Sequence, residues 1–102
     1  MPTFFCRLHP PRSDFAMTMS ASEKALMGRH AAYLGGLGEQ GTAVLFGPIG
    51  DPSGPWGLLI LECADATEAS ALTANDPVIQ SNQGFRYEVH PMLNAILRKS
   101  LR

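Results

Sequence analysis

The residues of this chain that could do chemistry are few: three histidines, two cysteines and nine acids among 102 residues. His9, His30 and His90 lie far apart and show no ligand spacing, so no metal site is expected. Cys6 and Cys63 are too few for a disulfide framework. No serine or cysteine stands in a nucleophile-elbow pattern. Gly35-Gly36-Leu37-Gly38 is rich in glycine but lacks the fingerprint of a P-loop or a dinucleotide site, and no cofactor is expected. His30 has the most informative setting. Leu26, His30, Tyr33, Leu34 and Leu37 fall at offsets 0, 4, 7, 8 and 11, one stripe of a helix. An imidazole there could take a proton from a bound molecule and return it, which is typically worth about 10²–10⁴-fold in rate. Tyr33, one turn on, could donate to a substrate oxygen, and Arg7 could neutralise an acidic substrate. Each has a plainer reading: a satisfied core histidine, a packing tyrosine. Asp76 before Pro77 reads as a helix stop and turn former. Gly47-Pro48 reads as the end of a strand.

These side chains need elements to hold them. Thr3 to Leu8 alternates as a strand, with Phe4, Cys6 and Leu8 on one face and Phe5 and Arg7 on the other. Prolines 10 and 11 end it, and His9 to Met19 is expected to be a loop, either a lid or a plain connection. Ser20-Ala21-Ser22-Glu23 is a capping box that starts a helix, and Gly41 stops it. Four interior glycines weaken that helix and would let it lie close to a sheet. Thr42 to Ile49 and Trp56 to Cys63 read as strands around a turn at residues 50–55. Asp65-Ala66-Thr67-Glu68 caps a second helix running to about Ala74, with Ala69 and Leu72 inward. Phe85 to Val89 alternates as an edge strand, and Leu93 to Leu101 is expected to form a terminal helix. The order β-α-β-β-α-β with right-handed crossovers gives a ferredoxin-like α+β fold: four antiparallel strands in the order 4-1-3-2 and two helices on one face.

Composition narrows the partners. The length fits a single domain, 1–102. The chain is 45% hydrophobic and 17% charged, with a formal net charge of −1, which suits a globular protein and leaves no basic tract for nucleic acid. The basic C-terminus from Arg98 reads as a solvated helix end. No apolar run reaches a membrane span, and the N-terminus lacks a signal-peptide layout. Cys6 and Cys63 then read as reduced buried thiols of a cytoplasmic protein. Leu58 to Leu61 is apolar on both strand faces. One helix layer covers one face, so a second copy of the chain is the simplest cover for the other, a homodimer.

An ordered set of motifs resembles the YCII-related family from Ser20 to Met92. His30-x-x-Tyr33-Leu34-x-x-Leu37-x-x-x-Gly41 leads into Phe46-Gly47-Pro48. Gly57-Leu58-Leu59-Ile60-Leu61-Glu62 follows, then Asp65-x-x-Glu68-Ala69-x-x-Leu72-x-x-x-Asp76-Pro77, then Tyr87-Glu88-Val89 before Pro91. The resemblance implies a dimeric α+β barrel type of protein with a pocket beside the sheet and a His–Asp pair in it, by position His30 and Asp76. The family has been linked to dehydrochlorination of hydroxylated aromatic rings. One stretch departs from the pattern: Val78 to Gly84 holds no early glycine turn and no aromatic. Antiparallel helices on one face would let His30 and Asp76 meet, and the carboxylate would fix the imidazole tautomer.

Two functions follow as expectations. One is a small-molecule lyase or isomerase with His30 as acid/base, Asp76 as its orienting partner, and Tyr33, Arg7, Gly47 and Pro48 around the substrate. The other is a non-catalytic dimeric module that binds a small molecule or a partner protein.

Overall fold

The computed structural model describes residues 1–98. Its elements are β1 (Thr3–His9), α1 (Phe15–Thr18), α2 (Ala21–Glu39), β2 (Ala43–Ile49), β3 (Trp56–Glu62), α3 (Ala66–Ala74), α4 (Pro77–Gln80) and β4 (Arg86–Met92). The strands form one antiparallel sheet in the order β2-β3-β1-β4. This is the expected ferredoxin-like α+β arrangement.

Register explains which side chains share a face. Phe4 pairs with Leu61 and Cys6 with Leu59 across β1 and β3, and Cys6 pairs with Val89 across β1 and β4. These residues turn toward the helices, because directly paired residues point to the same side of a sheet. With Leu34 and Leu37 of α2 and Ala69 of α3 they make the main core. A second cluster of Leu8, Leu26 and Val78 sits beside it. On the opposite face the register aligns Phe5 with Ile60 and Arg7 with Leu58.

The capping box of α2 is complete: the Ser20 hydroxyl accepts from the Glu23 amide, and the Glu23 carboxylate accepts from the Ser20 amide. Gly41, at φ +82°, takes the left-handed turn after α2 that a side chain would resist. Asp65 caps α3 through the Glu68 amide.

Four expectations are corrected. The 9–19 segment contains a one-turn helix, α1, because Phe15 has a buried place to go. Asp76-Pro77 does not simply end a helix; it restarts one, with Asp76 as N-cap and Pro77 in the first turn, where a missing N–H costs nothing. Gly47 and Pro48 lie within β2 and do not end it; β2 is an edge strand, which tolerates proline. Residues 93–98 are not helical, and the rest of the expected terminal helix lies outside the described residues. Leu93 and Ile96 are 96% and 81% exposed, so that segment has no apolar surface against which a short helix could be held. The helix glycines also do less than expected. A Cβ at Gly28, Gly35 or Gly36 would meet nothing within 4 Å, and only Gly38 has a neighbour, the Phe46 ring at 3.6 Å.

Candidate active site

His30 lies at the middle of α2, and its side chain is mostly buried. Asp76 lies between α3 and α4. The helices bring the two together: His30 Nδ1–H donates to Asp76 Oδ2 at 2.7 Å. Asp76 is fully buried, at 0% exposure. A buried carboxylate needs compensation, and this one receives three hydrogen bonds. Tyr87 Oη donates to the same Oδ2 at 2.7 Å, and the Val78 amide donates to Oδ1 at 3.1 Å. One oxygen caps α4; the other holds an imidazole and a phenol.

An ionised carboxylate only accepts, so the proton on this side of the imidazole sits on Nδ1. Nε2 is then the nitrogen that carries the lone pair. Among the described residues, Nε2 makes no hydrogen bond, and the ring forms part of the wall of a cavity of about 490 Å³. That volume falls in the range of small-molecule sites.

The cavity wall is largely apolar. Leu8, Met27, Leu34 and Tyr87 line it together with His30. Phe15, Ala16 and Met19, all from the 9–19 segment, close one side, so this segment is a wall of the cavity. Phe15 meets Phe85 edge to face at 5.2 Å. Phe46, Gly47 and Pro48 complete the wall from β2. Gly47 pairs with Leu58 of the open face, so a side chain there would point away from the cavity, and it is the backbone of Gly47 that meets the wall.

Two residues expected at the site stand elsewhere. Tyr33 does not line the cavity; its hydroxyl donates to the Leu72 carbonyl at 2.7 Å and ties α2 to α3. Three residues along a helix leave a rotation of about 60° from the starting direction, enough to aim Tyr33 past the cavity. Burial, and then the nearby Asp76 carboxylate, push the Tyr33 hydroxyl above its ordinary pKa. Arg7 lies on the other face of the sheet, since it alternates with Cys6 and Leu8. Its guanidinium rests 4.3 Å from the centre of the Trp56 ring.

Tyr87 is the residue that reading the sequence for chemistry passed over. Burial, then the Asp76 charge, raise its hydroxyl well above the usual value, so it stays a donor. The inward parity of Phe85, Tyr87 and Val89 was visible in the alternation of β4. Its contact with Asp76 was not, because 11 residues and a turn separate the two.

Among the described residues, no helix is long and apolar enough to cross a membrane. No curated protein matches the chain. The model of the YCII-related domain matches residues 3–93, a span that holds His30, Asp76, Tyr87 and the whole cavity wall. With four antiparallel strands, helices and this match over nearly its full length, the chain belongs to the YCII-related domain family.

Proposed function

We propose that this protein is a small lyase- or isomerase-like enzyme that moves a proton with His30. The observation that carries the reading is the 2.7 Å bond from His30 Nδ1 to buried Asp76, made by a ring that also lines an apolar cavity. Asp76 orients the ring and stabilises the imidazolium that forms when Nε2 takes a proton. The apolar wall excludes water and strengthens that electrostatic support. Gly47 and Pro48 shape the rim. The protein is further proposed to be a cytoplasmic homodimer. Phe5, Leu45, Leu58 and Ile60 leave apolar surface on the open sheet face, with Leu45 58% exposed. Two free buried cysteines suit a reducing compartment.

The test is a thermal-shift screen of small molecules, followed by product analysis for each that stabilises the protein. His30→Gln should then reduce turnover by about 10²–10⁴-fold while its melting temperature stays near that of the parent. Ligands that bind and are recovered unchanged would sink the enzyme reading. The second reading, a dimeric module that binds a small molecule or a partner protein without chemistry, would then stand, and the nearly all-apolar wall is what favours it.

A further inference from the structure

Asp76 Oδ2, the oxygen that holds the His30 ring, is shared. Tyr87 Oη donates to it at 2.7 Å, the same distance as His30 Nδ1. Oδ1 receives only the Val78 amide, at 3.1 Å. The Tyr87 hydroxyl therefore acts on the same oxygen that orients the imidazole. Tyr33, the other tyrosine of the chain, is the contrast: it directs its hydroxyl to the Leu72 carbonyl.

The Tyr87 ring packs against both core clusters, and its backbone pairs with Leu8 of β1. A ring so held keeps its hydroxyl on Oδ2 with little rotamer freedom left to lose. Few other charges reach the pair. No Asp, Glu, Lys or Arg lines the cavity. Tyr33 of α2 lies near Asp76, and Cys6 of β1 lies near Tyr87. Burial pushes both above their ordinary pKa, so both stay neutral where an imidazole titrates. Arg29 of α2 is exposed, and α4 has no titratable residue. Glu68, the only one in α3, accepts from the Ala64 amide at the start of that helix. Arg86, Glu88 and His90 of β4 alternate to the opposite face of the sheet, as do Arg7 and His9 of β1. What sets the hold of Oδ2 on His30 is thus chiefly the other donor on that oxygen. A hydrogen bond to a carboxylate favours its charged form and makes it a weaker partner for a proton nearby.

We propose that Tyr87 is a positioning residue that acts on His30 through Asp76: by sharing Oδ2 it limits how tightly the carboxylate holds the charged ring, so that a proton taken at Nε2 can be returned. This deepens, and rests on, the reading of His30 as the proton carrier.

The test follows the His30 ring by NMR across pH in the ¹⁵N-labelled full chain without ligand. Tyr87→Phe keeps the packing and removes the hydroxyl. The pH at which the ring takes up its second proton should rise, by on the order of half a pH unit for one hydrogen bond of ordinary net strength. The Nδ1–H resonance should move downfield as its bond to Oδ2 tightens. Tyr33→Phe should leave both signals where they are. Growing Tyr33→Phe on 3-fluorotyrosine places a stronger phenol donor at position 87 alone, and both signals should then move the opposite way. This arm keeps the ring and its hydroxyl, so it decides the matter even if Tyr87→Phe does not fold. A midpoint that stays or falls in Tyr87→Phe, that moves as far in Tyr33→Phe, or that ignores the fluorinated ring would overturn the inference. None of these readings needs turnover. A failure here is therefore distinct from a failure of the enzyme reading, which product analysis decides.

Discussion

Asp76 divides its two oxygens between two jobs. Oδ1 caps α4 through the Val78 amide, and Oδ2 gathers His30 and Tyr87. The plain role and the chemical role therefore belong to one side chain. Asp76→Ala would leave three donors without their fully buried acceptor, so it should destabilise the protein by about 2–5 kcal/mol in urea unfolding. Asp76→Asn keeps the shape and should cost less. Its effect should show in the ¹⁵N shifts of the His30 ring, which would no longer report a single Nδ1–H tautomer; an unchanged tautomer would argue against Asp76 as the orienting group. Cys6 behaves differently. Burial, and then the neighbouring Cys63, push its thiol up to about 12. It should resist thiol reagents at pH 8 in the native state and react only on unfolding, as counted with a chromogenic disulfide.

The segment from His9 to Met19 shows how an element is held without a long run of regular structure. Arg12 grips it from inside: Nε donates to the Thr18 hydroxyl and Nη2 to the Thr18 carbonyl, each at 2.8 Å. The same guanidinium reaches Glu23, whose carboxylate also completes the capping box of α2. Cavity wall and helix start are thus joined through one acid. Hydrogen bonds from Arg12, and then from the Ser20 amide, lower the Glu23 pKa from 4.5 to about 2. A depressed carboxylate stabilises fully above its unfolded pKa and loses that contribution as pH falls through its folded one. The contact should therefore be complete above about pH 4.5 and gone near pH 2. Glu23→Gln keeps an acceptor for the capping box and removes the charge. Its melting temperature should lie below the parent's at pH 7 and converge with it near pH 2; a constant gap across that range would disprove the role of the charge.

At the scale of the molecule, the sheet has one face under helices and one without. Leu59 and Leu61 are at 2% and 0% exposure beneath α2 and α3, whereas their neighbours Leu58 and Ile60 are only half-buried. Alternation along β3 sends half of an unbroken apolar run to the uncovered side. A second copy laid on Phe5, Leu45 and Ile60 would remove that surface from water, and each 100 Å² of apolar area so buried would contribute about 2.5 kcal/mol before the cost of association. Light scattering at micromolar concentration should give twice the chain mass. A monomer mass would contradict the dimer, and Ile60→Lys should shift a dimer toward it.

Local signals determined much of this protein. Capping residues marked the starts of α2 and α3, alternation set the two faces of β1 and β4, and the element order carried the sheet topology, because right-handed crossovers leave few alternatives. The His30–Asp76 pair was legible only through the family motif, since 46 residues separate the two and no periodicity links them. Only the tertiary structure decided what surrounds the pair. Tyr87 reaches Asp76 because β4 pairs with β1 and packs against α3, which ends beside Asp76, and a local pattern cannot express that. Arg7 and Tyr33 were assigned to one site by residue type, but strand alternation and helix rotation aimed them at different neighbours, Trp56 and Leu72. Sequence patterning specifies which face a side chain takes; the packing of one element on another specifies what it meets there.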